Sequence, residues 1–87
     1  MAFSAANLTR VNGDSNGSLW MYTSADAIAD VNTAGYFNSA ANMLAVRDLI
    51  IVRDTNVPTT HFCTVLSNTG SVVDVSDGTV VAETDGD

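Results

Sequence analysis

Lysine and glutamine are absent from this chain, and proline, histidine, cysteine, tryptophan and glutamate each occur once, as Pro58, His61, Cys63, Trp20 and Glu83. One cysteine cannot close an internal disulfide, and one histidine with one cysteine is a poor basis for a zinc site. No cofactor or metal is therefore expected. The cations are Arg10, Arg47 and Arg53, set against ten carboxylates for a formal charge of −7. Nucleic-acid binding and attraction to anionic lipid both need clustered Lys or Arg, so neither partner fits. The uninterrupted apolar runs are residues 19–22, 43–46 and 49–52, far short of the about 20 residues a membrane-spanning helix requires. Residues 1–7 show neither a basic stretch nor an apolar run, so no secretory signal is expected. The chain reads as a folded acidic module made in a cytoplasm.

The scarcity of Lys, Gln and Glu removes strong helix formers. Val and Thr, which suit a pleated surface, and Asn, Asp, Ser and Gly, which suit turns, take their places. With 46% hydrophobic residues the chain is too apolar for disorder. Its 87 residues allow one domain, residues 1–87, which buries only ~60–65% of its unfolded surface. Without a disulfide or metal, oligomerisation is the remaining aid to stability.

Along the chain, residues 7–11 form a short alternating segment, followed by two Asn-Gly pairs in residues 12–17 that suit a hairpin or loop. In residues 18–23, Leu19 and Met21 share one face, and Trp20 and Tyr22 the other. Both faces are apolar, so the strand is buried on both sides, or buried on one and covered on the other by a neighbouring subunit. Ser24 reads as an N-cap for a helix over residues 25–30, and a second short helix is expected over residues 40–44. Residues 46–53 form the clearest strand, with charges at both ends. Residues 59–66 form another, linked by the loop 67–70 to a return strand at 71–75. Asp77-Gly78 turns into a last strand at 79–82. The expected fold is mainly β: a small antiparallel β-sandwich or barrel-like sheet with one or two short inserted helices. Residues 1–7 are expected to form an extended N-terminal arm, and residues 83–87 an acidic tail.

His61 and Cys63 share a strand face, the best nucleophilic geometry on offer. No cation lies between Arg53 and the C-terminus to stabilise a thiolate, so a packing role is favoured. Asp74 to Gly78 misses the calcium-loop spacing, with glycine at the fifth rather than the sixth place, and reads as a β-turn. The pairs Arg47-Asp48 and Arg53-Asp54 read as solvated strand ends. No catalytic residue is expected. Trp20, Tyr22, Tyr36 and Phe37 suit a core, a subunit interface or, less readily, a glycan-stacking platform.

The stretch Ser24-Ala25-Asp26-Ala27-Ile28-Ala29-Asp30-Val31-Asn32-Thr33-Ala34-Gly35-Tyr36-Phe37-Asn38, followed by Met43-Leu44-Ala45-Val46-Arg47-Asp48-Leu49-Ile50-Ile51-Val52, resembles small virion structural proteins of tailed bacteriophages. These pair a TADA–I–A–DV–TAGYF segment with an L–VGD–I–V strand and a β-hairpin. The likeness covers residues 24–52, about a third of the chain. One departure is Arg47, where the family pattern often has glycine, and it bears on the local turn geometry. The resemblance implies a non-enzymatic, head-associated role on the virion. The first choice is a capsid decoration (cement) protein on the outer surface of the major capsid protein. The alternative is a head- or tail-fibre module binding host surface glycan. Three-fold capsid sites favour a homotrimer. The candidate interface residues are Phe3 in the arm and either Trp20 with Tyr22 or Leu19 with Met21, with Phe3 assigned to a capsid or neighbour contact rather than to the core.

Overall fold

The structure, a computed structural model, describes residues 3–14 and 17–81. Met1 and Ala2 of the expected arm, residues 15–16 of the Asn-Gly segment and the acidic tail 83–87 lie outside the described residues, as does residue 82 of the last strand.

Six strands form one mixed sheet: β1 (Leu8–Asp14), β2 (Gly17–Ser24), β3 (Leu49–Asp54), β4 (Thr59–Asn68), β5 (Val73–Val75) and β6 (Thr79–Val80). The order is β1-β2-β3-β4-β5, with β6 on the same edge of β4 as β5. The mainly β expectation holds, and every expected strand is present. The β2–β3 pairing is parallel and the others are antiparallel. A parallel pair needs a crossover, and residues 25–48 supply it. They run over one side of the sheet as the short helix α1 (Ile28–Val31), a 3₁₀ turn at Asn38–Ala40 and irregular links.

Both inserted elements differ in detail from expectation. Helix α1 begins after Ala27, whose ψ of 152° is extended. Ser24 Oγ instead accepts the Asp26 N–H at 3.0 Å, closing the turn ahead of the helix. The second element is a 3₁₀ turn that ends where a helix over 40–44 was expected to start. Both are too short to persist alone and are held by packing.

The sheet covers its core on one side only. Leu8, Trp20, Tyr22, Ile50, Val52, Cys63, Val65, Val73 and Val75 meet Val31, Phe37, Ala40 and Leu44 from the crossover. Tyr22, Val31, Ile50 and Cys63 are fully buried, and each large apolar side chain so buried contributes roughly 1.5–3 kcal/mol. Phe3 stacks on Tyr22 with ring centroids 5.4 Å apart and meets Phe37 edge-on at 5.4 Å. Residues 5–7 are a 3₁₀ turn leading into β1. The described part of the arm therefore packs on the core, and Phe3 is placed against the aromatic cluster rather than held out for a partner. An exposed benzyl group next to an incomplete aromatic cluster gains more by closing it.

Asparagines fasten the crossover to the sheet. Asn38 Oδ1 accepts the Val73 N–H at 2.9 Å, and Asn32 Nδ2 donates to the Asp77 carbonyl at 2.9 Å. Asn68 Nδ2 donates to the carbonyls of Ala41 and Leu44 at 2.8 and 2.6 Å. A second chain of polar contacts runs through the tyrosines. The Tyr36 hydroxyl donates to Asp26 Oδ2 at 2.6 Å and lies 2.8 Å from the Tyr22 hydroxyl, which accepts the Ser4 N–H at 3.1 Å. Burial first, then these two side-chain partners, hold the Tyr36 hydroxyl far above its ordinary pKa, so it remains protonated. Asp26, Asn32, Tyr36 and Asn38 thus have structural duties in this fold.

Candidate functional site

The uncovered side of the sheet is the main surface feature. Register aligns Thr9, Met21, Ile51, Phe62 and Thr79 in one row, Leu19, Leu49 and Thr64 in a second, and Thr23, Arg53 and Thr60 in a third. Because side chains alternate along each strand, these rows lie opposite the core. Leu66 continues the face along β4. Leu49, Phe62 and Leu66 are exposed at 40%, 43% and 54%, while Leu19, Met21 and Ile51 are half-buried among their neighbours. The apolar centre thus comes from three adjacent strands.

The structure resolves the choice within β2. Trp20 and Tyr22 are 5% and 0% exposed and belong to the core, whereas Leu19 and Met21 lie on the uncovered face. Alternation made the two pairs opposite, and the crossover decides which is inside by packing Phe37 and Tyr36 onto Tyr22.

Along β3 the same face reads Leu49, Ile51, Arg53, with Arg47 two residues before it. Arg47 borders a cavity of about 390 Å³ with Ser18, Leu19 and Leu49, and another of about 470 Å³ with Val46, Thr64 and Leu66. Arg53 borders a third, of about 350 Å³, at the other end with Pro58 and Thr60. Arg47 and Arg53 are exposed, and no salt bridge joins either to a carboxylate among the described residues.

Their neighbours in sequence go the other way. Asp48, 3% exposed, accepts hydrogen bonds from Trp20 Nε1–H at 3.0 Å, the Ala45 N–H at 3.0 Å and the Ser18 N–H at 3.2 Å. Asp54, 8% exposed, accepts the Asn56 and Val57 N–H groups at 2.8 and 3.2 Å. The expectation of solvated strand-end charges is corrected for both aspartates: each closes a turn from inside, and each partner arginine is left outside. A buried indole N–H needs an acceptor, and the lone Trp in a chain rich in Asp was a usable signal for it.

Arg47 has φ of +77°, the single non-glycine residue among those described with a positive φ. Its N–H donates to the Val65 carbonyl at 2.8 Å, and the Asp48 carbonyl accepts the Val65 N–H at 3.0 Å. These bonds fix the backbone in a conformation that favours glycine.

His61 and Cys63 do share a face, on the core side. Cys63 is fully buried, and burial, aided by the negative charge of Asp77, pushes its thiol up to about 11. The group is therefore a protonated thiol near neutral pH, a poor nucleophile. His61 Nδ1 is buried without a hydrogen-bond partner. Gly78, at φ +99°, caps the pair: a Cβ there would sit 3.1 Å from Cys63 Sγ and 3.4 Å from His61 Cβ. Asp74 and Val75 are thus part of β5, and residues 76–78 form a close-packed link to β6 over a buried thiol.

Comparison with known proteins yields no match to any family, curated protein or solved structure. Among the described residues no helix is long and apolar enough to cross a membrane.

Proposed function

We propose that this chain is a non-enzymatic virion structural protein of a tailed bacteriophage, a capsid decoration protein that binds the outer surface of the major capsid protein and stabilises the head. The observation that carries the reading is the uncovered sheet face. The chain completes a core on one side of its sheet and leaves Leu19, Met21, Leu49, Ile51, Phe62 and Leu66 together on the other. Contiguous apolar surface of this kind marks an interaction site. The likeness of residues 24–52 to small phage virion proteins names the class of partner. A repetitive shell also suits a small binding face, because many copies acting together make weak single contacts effective. Assembly as a homotrimer at three-fold positions belongs to the same reading.

The fibre alternative needs an exposed aromatic ring. Trp20, Tyr22 and Phe37 are taken up by the core, which leaves Phe62 as the exposed aromatic among the described residues. Copy number separates the two readings. Hundreds of copies per purified particle, by quantitative gel or density map, support decoration; a few dozen or fewer support a fibre. Absence from the particle refutes both.

A further inference from the structure

We infer that Asn12-Gly13 is a self-modifying site, at which the folded chain closes a cyclic imide, releases ammonia and turns the Asn12 side chain into a carboxylate. This needs only the chain and water, so it stands apart from the decoration reading. Two Asn-Gly pairs occur in residues 12–17, but Asn12 and Gly13 do not form the turn. They lie inside β1, an edge strand of the sheet, opposite Leu19 and Ser18 and directly after the register shift between Arg10 and Asn12. Glycine within a strand marks a bulge or a close approach. A Cβ on Gly13 would run into Ser18 Oγ and stand 2.7 Å from Arg10 Nη2. Asn12 is exposed, and the Gly13 N–H donates to Asn12 Oδ1 at 2.9 Å.

That hydrogen bond brings together the nucleophile and the electrophile of one reaction. Cγ is bonded to Oδ1, so rotation about Cβ–Cγ presents its carbonyl carbon to the nitrogen already held beside it. Such positioning removes much of the entropic cost of an intramolecular attack. The Gly13 nitrogen gives its proton to hydroxide and bonds to Cγ. The Cγ–Nδ2 bond then breaks, and Nδ2 leaves as ammonia with a proton from water. Glycine puts no side chain across the path, and the Arg10 guanidinium beside it favours the negative charge developing on the nitrogen and on Oδ1. Water next adds to the imide. Addition at Cγ breaks the new N–Cγ bond and leaves an ordinary aspartate. Addition at the Asn12 main-chain carbonyl breaks the original peptide bond and leaves isoaspartate, with an extra methylene in the strand. One water is taken up, one ammonia is released, and the new acid ionises.

The asparagines that fasten the crossover are held away from this chemistry. Asn32 Nδ2 donates to the Asp77 carbonyl, Asn68 Nδ2 to the carbonyls of Ala41 and Leu44, and Asn38 Oδ1 accepts the Val73 N–H. Thr33, Thr69 and Ser39 follow them, so a side chain flanks each nitrogen that would have to attack. The modified site also has a place in the surface. Asn12 and Gly13 border the cavity of about 390 Å³ that Leu19 and Leu49 line, so the reaction changes one corner of the uncovered sheet face.

The test incubates the full chain at pH 8 and at pH 9, with and without urea. Tandem mass spectrometry after proteolysis follows each asparagine separately, resolving Asn12 from Asn16, and electron-transfer fragmentation distinguishes aspartate from isoaspartate. Each native rate is divided by the rate of the same asparagine in urea, which removes the effect of the residue that follows it. Asn12 is expected to give a ratio of about 1 or more, and Asn32, Asn38 and Asn68 about 0.1 or less, because those three react only when the structure opens. The Asn12 rate should rise with hydroxide between the two pH values, as loss of the Gly13 amide proton requires. A ratio at Asn12 as low as that of the three held asparagines would overturn the inference, and so would reaction confined to Asn16. The variant N12Q keeps an exposed amide on a longer arm and is expected to fold as wild type by circular dichroism while releasing no ammonia from this position. Release from N12Q at the wild-type rate would mean direct hydrolysis and would overturn ring closure.

Discussion

Asp48 offers the sharpest test of the packing described above. Replacing it with alanine leaves three N–H groups without their acceptor: Trp20 Nε1–H, the Ala45 amide and the Ser18 amide. The indole contact is buried, whereas those to Ala45 and Ser18 are part-buried. At ~1–3 kcal/mol for each buried donor left unpaired, discounted where water enters, D48A is expected to cost about 3–5 kcal/mol. A domain of 87 residues has roughly 4–13 kcal/mol in total, so the variant sits near the edge of folding. D48N is nearly isosteric, but turns one acceptor oxygen into a donor facing other donors, and is expected to cost about 1–3 kcal/mol. A cycle with Trp20→Phe isolates the indole bond, with a coupling of roughly 1–2 kcal/mol. Urea titration followed by far-UV circular dichroism measures all four proteins, and Trp20 fluorescence provides a second probe where the indole is kept. A solvated strand-end aspartate would change stability by less than about 0.5 kcal/mol. A D48N protein within that range of wild type would refute the burial argument.

Three further outcomes follow from single positions. At Arg47, with φ +77°, R47G is expected to be more stable than R47A by about 1 kcal/mol, the reverse of the usual order in regular structure, as measured by denaturant midpoints. G78A is expected to cost about 1–3 kcal/mol, because φ is +99° and the new Cβ meets Cys63 Sγ at 3.1 Å; a variant as stable as wild type would contradict the close approach. Cys63, pushed up to about 11, is expected to resist iodoacetamide at pH 8 in the native state and react in urea. A group raised in this way favours the folded state below its unfolded pKa of about 8.5 and loses that contribution as pH climbs towards 11. The alkaline fall in stability over that window should therefore shrink in C63A.

Local pattern made much of the fold legible. Apolar runs placed β2 and β3, a two-faced segment ahead of the loop 67–70 placed β4, and Asp77-Gly78 marked the turn into β6. The legible part stops where a decision is non-local. Both faces of β2 are large and apolar, so nothing within residues 18–23 says whether Trp20 or Met21 points inward; that depends on Phe37 arriving from the crossover. The parallel register of β2 with β3 has no turn to announce it. Aspartate beside arginine looks like a solvated pair, and only the approach of Trp20 and the Ala45 amide makes Asp48 a core residue. The candidate face was half visible: Leu19 and Met21 were named from β2, but the period-two series Leu49, Ile51, Arg53 was hidden inside a run of apolar residues that reads equally well as a strand buried on both sides.

The parallel pairing at the centre of the sheet also has a kinetic consequence. The β1–β2 and β3–β4 ladders are antiparallel and join strands close in sequence, so each can zip from its own turn in microseconds. Joining the two ribbons requires residues 25–48 to close first, and that loop is repaid only when Leu19 to Ser24 align with Leu49 to Asp54. Non-local pairing of this kind places the barrier late and slows folding towards the millisecond-to-second range. Until the ribbons join, the inner edges of β2 and β3 stand unpaired, with Leu19 to Tyr22 and Leu49 to Val52 in the open. Aggregation should therefore compete with folding at this one seam, and substitutions that delay the crossover's docking should raise aggregation during refolding before they measurably lower the stability of the finished sheet.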